Sequence, residues 1–382
     1  MKNILLVVTD YHTSFDLMIL KLLLTKHDLN VIVFATEKKA SYFKGCGASF
    51  SIETAPSRQF NNPVSRLYSC RDYLDAIYDV VRKHKIDLLF ITTAQDAVLN
   101  FFLCNIVKKT PTLLVVHNIN RFVIKGDSNF RRKELAFNSY SKWRKRINAC
   151  LASSSKSLIV LTDYLKKEMS RIMPEKHVYE LPFRVSSAAI LRRRREEVLS
   201  NSVTTFTISG SVNGIRRNYD DYFNLFGGSV KGDFRLQLLG EVQDSDIVSR
   251  GKRLLGDKLI AFDRFLTEEE YMNGLLSSHF LLADLSRSMP YGVFKASGVE
   301  FDGPSLGIPV ITPFDVLKSS RHGIFVRYSQ GKLLQVLNST IDSVDQGTYE
   351  KEFLEPAIRE ASYFDEDKWA AILHNIIESS LA

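Results

Sequence analysis

Short apolar runs alternate with longer amphipathic stretches along most of the chain. ILLVV (4–8), VIVFA (31–35), LLFIT (88–92), TLLVV (112–116) and SLIVL (157–161) are rich in β-branched residues, and each stops at polar or small residues. A run that is apolar at every position suits a strand covered on both faces of its sheet, so these segments predict buried parallel strands. Between them lie helical patterns such as RLYSCRDYLDAIYDVVRKHK (66–85), where Leu67, Leu74, Ile77, Val80 and Val81 recur at helical spacing. Regular βα alternation predicts a doubly wound α/β sheet and disfavours a barrel or a sandwich.

The alternation breaks at SSAAILRRRREEVLSNSV (186–203), a charged, small-residue stretch without a strand pattern. It then restarts with TTFTISG (204–210), FRLQLLG (234–240), KLIAF (258–262), HFLLADL (279–285) and PVITP (309–313). The expectation is two Rossmann-like domains facing a cleft, spanning 1–185 and 204–363, with 186–203 as linker. KWAAILHNIIESSL (368–381) reads as a last helix, within a segment 364–382 placed to cross back to the first domain. Ligands of such sheets sit outside the carboxyl ends of the strands.

A length of 382 residues with 45% apolar content suits two packed domains of ordinary size. The first residues, MKNILLVVTDYHTSFD, hold no small-residue cleavage site of the kind a signal peptide needs, and no apolar segment approaches the ~20 residues that span a bilayer. Cys46, Cys70, Cys104 and Cys150 are scattered without metal-ligand spacing and read as reduced and structural. Together these features predict a cytoplasmic protein. The net charge of +8 is the unusual bulk property, with basic patches at Arg131–Lys133, at Lys142 and Arg144–Arg146, and at Arg192–Arg195. Such patches attract nucleic acid, anionic lipid or phosphorylated substrates alike.

Candidate chemistry gathers at RSMPYGVFKASGVEFDGPSLGIPVITP (287–313). Glycine and proline punctuation predicts a loop, a helix from about Phe294 to Leu306, a tight turn and a strand at Pro309–Thr312. A helix entrance presents unpaired N–H groups and the positive end of its dipole, so Lys295, Ser297 and Gly298 form a candidate anion site. Glu300 and Asp302 lie one or two turns further in, either within reach of hydroxyls beside a bound phosphate or on a solvated face. TISGSVNGIRRNYDDYF (207–223) adds Ser209, Gly210 and Ser211 at a strand end, followed by Arg216 and Arg217. This is either a phosphate-binding loop with a bidentate arginine or an ordinary βα loop with a solvated basic pair.

In this order, the serine-glycine loop, FRLQLLGE, KLIAFDRF, TEEEYMNGLLSS, HFLLADLS and the Gly-x-Pro-Val turn resemble the nucleotide-sugar half of GT-B glycosyltransferases of bacterial surface polysaccharide synthesis. LTDYLKKEM (161–169) is similar to the strand and helix that end the acceptor half of that fold. The resemblance implies backbone contacts from Ser297 and Gly298 to the donor diphosphate, and charge partners in Lys295 and Arg216 or Arg217. It places Asp302 on the donor ribose. Phe294 stands where retaining members carry a further glutamate for the donor sugar, so retention or inversion stays open, with Glu300 as a substitute. No cofactor is implied beyond the nucleotide-sugar donor, and no metal: Asp244-Ser-Asp246 has Asp-x-Asp spacing but reads as surface helix.

In the first domain, His117 follows the strand at 112–116, where imidazole can donate to a sugar hydroxyl or act as a base near neutral pH. Asp10 follows the first strand and is either a base for an acceptor hydroxyl or a helix cap; Asp96 is a weaker third candidate. SNFRRKELAFNSYSKWRKRINACL (128–151) interleaves cations with aromatics, suiting either an anionic membrane surface or a packed surface helix. The expected function is transfer of a sugar from a nucleoside diphosphate to a glycan or lipid-linked acceptor, peripheral at the inner face of the membrane. The rivals are a sugar-nucleotide epimerase of the same fold and a basic nucleic-acid-binding protein. No basic-aromatic nucleic-acid motif accompanies the charge, so nucleic acid is not expected as a partner.

Overall fold

The apolar runs become the interior strands of two parallel sheets. The computed structural model describes residues 1–9, 12–44, 50–56, 62–94, 96–122, 139–215, 217–283, 294–317 and 322–382. The chain divides into unit 1, Met1–Pro182 with Asp367–Ala382, and unit 2, Phe183–Glu366.

Unit 1 contains β1 (Lys2–Val7), α1 (Thr13–Leu23), β2 (Leu29–Thr36), α2 (Glu37–Phe43), β3 (Ser51–Ala55), α3 (Pro63–His84) and β4 (Leu88–Ile91). It continues with α4 (Ala97–Val107), β5 (Thr112–Val115), α5 (Ser139–Ser154), β6 (Ser157–Val160), α6 (Asp163–Ile172) and β7 (His177–Glu180). The strands lie in the order β3-β2-β1-β4-β5-β6-β7, each neighbouring pair parallel. Ile4 to Val8 and Val31 to Ala35 are fully buried, as strands sandwiched between two helix layers must be. The strand order reverses between β1 and β4, which makes their carboxyl ends the expected ligand position of this sheet.

Unit 2 contains α7 (Ala188–Leu199), β8 (Thr204–Ser209), α8 (Tyr219–Gly228), β9 (Phe234–Leu239), α9 (Ser245–Leu255), β10 (Leu259–Ala261) and α10 (Glu268–Leu276). After these come β11 (Phe280–Leu282), α11 (Val299–Ser305), β12 (Val310–Pro313), β13 (Phe325–Tyr328), α12 (Leu333–Asp345) and α13 (Glu355–Ala361). Its parallel sheet runs β10-β9-β8-β11-β12-β13, reversing between β8 and β11. Side chains alternate between two apolar layers. Phe206, Leu238 and Phe280 pack with Phe223, Ile247 and Ile341 on one face, whereas Leu239, Leu281 and Val310 pack with Leu275, Val299 and Leu306 on the other. This is the doubly wound α/β architecture that the alternation predicts.

Three strands have no apolar run to announce them: β3 (SIETA), β7 (HVYE) and β13 (FVRY). Each is a sheet edge, with a neighbour on one side only, so partial burial suffices and the sequence stays mixed. The stretch 186–203 is structured as well. Ser187 accepts from the Ile190 amide at 3.4 Å and caps α7, which belongs to unit 2. Nor is Arg192–Arg195 a uniform basic patch. Arg194 is fully buried and donates to the Leu276 carbonyl at 2.9 Å and the Tyr349 hydroxyl at 3.1 Å, while Arg195 pairs with Glu350. An amphipathic helix turns one residue of any four-residue run inward, and here that residue is an arginine.

The chain returns to unit 1 through α14 (Glu366–Leu381), where the His374 Nε2 proton is donated to the Leu22 carbonyl at 3.0 Å and Ser380 meets Ser157 at 3.2 Å. Among the described residues no helix is long and apolar enough to cross a membrane.

Candidate functional site

In unit 2 the end of β8 is built from small residues for a steric reason. Gly210 has φ +96°, in the left-handed region that a side chain disfavours. Its carbonyl lies so close to Gly240, just past β9, that a Cβ at Gly240 would collide with it. The turn then brings Arg217 back over the strand end. Its Nη2 donates to the Ser209 carbonyl at 2.7 Å, and a Cβ on Gly210 would lie 3.9 Å from the same nitrogen. Arg217 is 6% exposed, and its Nε has no hydrogen-bond partner among the described residues. A buried guanidinium with a donor to spare can pair with an anion. Ser211 is half-buried, and its carbonyl accepts from the Tyr219 hydroxyl at 3.4 Å. Beside this turn, Asn213, Ile215, Gln243 and Asp244 border an open groove of about 510 Å³. Arg216 lies outside the described residues. Asp244 caps α9 by accepting from the Asp246 amide at 3.1 Å.

The helix entrance differs from the expected one. Instead of starting near Phe294, α11 runs only from Val299 to Ser305, with Gly298 at its cap and Lys295 half-buried in the irregular segment before it. The Ser297 amide donates to Glu300 Oε2 at 2.6 Å. Thus the carboxylate of Glu300 occupies an amide that was expected to face a diphosphate. The acid reaches back from inside the helix to satisfy an N–H that lies just ahead of its Gly298 cap. Gly298 is exposed, and a Cβ there would lie 3.7 Å from Asp302 Oδ2.

Asp302 is buried, and both of its oxygens carry partners. Oδ1 accepts from Arg184 Nε at 3.0 Å and Oδ2 accepts from the Tyr271 hydroxyl at 2.8 Å. Arg184 also donates to Glu268 Oε1 at 3.2 Å. Burial raises the Asp302 pKa above the ordinary carboxylate range, while Arg184 and Tyr271 pull it back. Burial likewise works against the Arg184 charge, but Asp302 and Glu268 outweigh it and leave that pKa raised. The Tyr271 phenol is pushed well up by burial and by the neighbouring Asp302 charge, with Arg184 and Ser209 pulling the other way. Arg217 and Ser209 thus meet at the carboxyl end of β8, while Arg184, Tyr271 and Gly298 gather around Asp302 at the start of α11.

Arg184 and Tyr271 are not among the residues singled out from the sequence. Tyr271 sits in an unremarkable amphipathic helix, and Arg184 is a lone arginine in LPFRV. Its partner Asp302 is 118 residues away.

In unit 1, His117 follows β5 and is 9% exposed. Its Nε2 lies 2.9 Å from the Thr92 carbonyl, which can only accept, so Nε2 carries a proton. The His12 ring stacks on it with centroids 4.5 Å apart, and Phe15 meets it edge-on at 5.2 Å. His12 caps α1 at φ 60°, ψ 50°, a conformation that costs a non-glycine residue energy and collects at functional sites. Asp10 lies outside the described residues. Asp96 caps α4, accepting from the Val98 amide at 3.0 Å and from Arg66 at 2.9 Å, which accounts for its position after β4. Asp16 is a buried carboxyl that burial pushes up to about 8, with Thr92 and Lys39 pulling the other way.

No family model matches the sequence, and no curated protein matches it. Solved structures do match. Sucrose-phosphate synthase of Thermosynechococcus elongatus aligns over 99% of both chains with a TM-score of 0.66 and 10% identity. HepE of Anabaena, in complex with UDP and glucose, aligns over 99% of this chain and 100% of its own with a TM-score of 0.63 and 13% identity. The UDP-GlcNAc 2-epimerase of Neisseria meningitidis bound to UDP-GlcNAc covers 99% of this chain and 100% of its own, with a TM-score of 0.60 and 14% identity. At such identities the likeness is one of architecture, and it extends end to end: this chain has the GT-B fold, two Rossmann-like units in series.

Proposed function

We propose that the chain is a glycosyltransferase that binds a nucleoside diphosphate sugar in unit 2 and transfers the sugar to a hydroxyl of a glycan or lipid-linked acceptor. The observation that carries this reading is Arg217: a buried guanidinium with an unpartnered Nε, lying over a left-handed glycine at the strand-order reversal of its sheet. That is the position at which doubly wound sheets hold phosphate groups. A cation there offsets the charge that builds on a diphosphate leaving group, and Lys295, in the segment before α11, is a second candidate cation. His117 in unit 1, its ring held by the Thr92 carbonyl at Nε2, is the candidate base or donor to a sugar hydroxyl.

The acceptor side of the proposal includes an anionic membrane surface. On α5, Lys142 and Arg146 are exposed and Trp143 is 40% exposed, with Phe101 of α4 51% exposed. The two helices are joined by the Asn100–Asn148 bond at 2.8 Å. Cations beside exposed aromatics match a negatively charged interface.

The test is incubation with UDP-glucose, UDP-GlcNAc and other nucleoside diphosphate sugars, with and without chelator. Stabilisation against heat that survives chelation, together with slow release of the nucleoside diphosphate, is the expected result. Interconversion of the sugar with no nucleotide released would replace this reading with the epimerase, a fold relative of which carries UDP-GlcNAc. Indifference to every nucleotide sugar would refute both.

A further inference from the structure

Two cysteines share the seam between α4 and α5. Cys104 of α4 is buried, whereas Cys150, near the end of α5, is exposed, and both are free thiols. The helices are keyed together there. Asn100 Nδ2 donates to Asn148 Oδ1 at 2.8 Å, and one turn further along α4 the Cys104 thiol meets the Ile147 carbonyl at 3.9 Å. A helix carbonyl points along the axis toward the following turn, so the Cys104 sulfur lies against the turn that carries Cys150. The two thiols also feel each other: after burial, the Cys150 charge is the next cause that pushes the Cys104 thiol up to about 12. A cysteine side chain reaches only one bond past its Cβ. Its contact with the opposite backbone therefore brings the helices close enough for the short span of a disulfide.

We propose that Cys104 and Cys150 form a reversible intrachain disulfide, in which the exposed Cys150 reacts first and the buried Cys104 resolves it. The oxidant is a low-molecular-weight disulfide. The Cys150 thiolate attacks one of its sulfurs, which forms a mixed disulfide at Cys150 and releases one small thiolate to take up a proton. Cys104 then gives up its proton and attacks the Cys150 sulfur, so that the Cys104–Cys150 bond forms, the mixed disulfide breaks and the second small thiol leaves. The chain loses two protons and two electrons, and these reduce the small disulfide to two thiols. The bond fastens a seam that reaches the turn after His117, because Asn148 also donates to the Arg121 carbonyl at 3.0 Å, at the end of the short helical turn Ile119–Arg121.

The experiment poises the full chain in a graded series of oxidised and reduced glutathione, quenches with acid and maps the unreduced peptides by mass spectrometry, for wild type, Cys150→Ser and Cys104→Ala. Wild type should yield a peptide joining positions 104 and 150 that dithiothreitol separates. The oxidised chain should melt several degrees higher, since a crosslink restricts the unfolded state, and its amide exchange at 119–121 should slow. Closure should quicken roughly tenfold per pH unit between pH 7 and 9, as the thiolate fraction of a resolving thiol with a high pKa grows. Cys104→Ala should stop at glutathione bound to Cys150. Cys150→Ser should stay reduced at Cys104 with no rise in melting temperature, and this exposed substitution carries the comparison if Cys104→Ala does not fold. Wild type that halts at the mixed disulfide with Cys104 reduced would overturn the proposal. So would a Cys150–Cys150 bond between two chains, or a chain that remains reduced throughout the series, and unchanged exchange at 119–121 would refute the restraint on that turn.

Discussion

Replacing Arg217 with methionine separates a ligand-binding arginine from a structural one, because the two roles predict opposite balances of stability and affinity. In the free protein the guanidinium is 6% exposed, holds the Ser209 carbonyl at 2.7 Å and leaves Nε unpaired among the described residues. Losing the charged hydrogen bond costs about 1.5–3 kcal/mol. Removing a poorly compensated buried charge returns an amount of the same order, since burial penalises an ion by several kcal/mol. The two nearly cancel, so the net change in stability should lie within about 2 kcal/mol of zero. For a unit the size of Phe183–Glu366 that is a melting shift below roughly 8 °C. Affinity has no such compensation. A diphosphate that takes Nε and shares Nη2 would lose about 2–3 kcal/mol, or roughly 30- to 150-fold in Kd. Thermal melting of the free protein and calorimetric titration with a nucleoside diphosphate read the two quantities independently. A large loss of stability with unchanged affinity would refute the reasoning and make Arg217 a strut for the β8 end.

Three further outcomes are expected. Gly240→Ala should destabilise the protein by about 1–3 kcal/mol, because the added methyl meets the rigid Gly210 carbonyl; an unchanged melting curve would mean the turn relaxes freely. The Asp16 pKa lies above its ordinary value of 3.8, near 8, so the folded chain keeps a proton that the unfolded chain has released. Stability should therefore fall as pH rises through that window, and Asp16→Asn should flatten the fall; parallel pH profiles for variant and wild type would count against it. On α5, Lys142→Gln with Arg146→Gln should weaken co-sedimentation with anionic vesicles roughly thirtyfold, from about 1 kcal/mol per exposed cation, and equal binding by both proteins would remove the membrane surface from the proposal.

The interior of each sheet is legible in the sequence because burial on both faces forces an unbroken apolar run, as at Ile4–Val8. The edges are not, since β3 needs only Ala55 inside. Charge is the least legible property. In Arg192–Arg195 composition cannot tell which arginine turns inward, and Arg194 does so because the helix period puts it over Leu276 and Tyr349. The site divides in the same way. Ser209, Gly210 and Arg217 are readable as a strand end, a small residue and a cation in quick succession. Glu300, three residues after Ser297, is a local partner for its amide that competes directly with the anion-site reading of the same residues. The Arg184–Asp302 pair depends on a meeting across 118 positions, which no local pattern encodes.

The return of residues 367–382 to unit 1 bears on how the chain is made. Synthesis proceeds from the N-terminus, and domains generally fold as units as they emerge. Here the first unit to emerge is the last to be complete, for His374 and Ser380 close over Leu22 and Ser157 only after all of unit 2 has been translated. Unit 2, continuous in sequence, is free to consolidate first. During that interval the nascent unit 1 lacks the buried Trp369, Leu373 and Ile377, leaving exposed apolar surface of the kind that makes partly folded chains aggregation-prone.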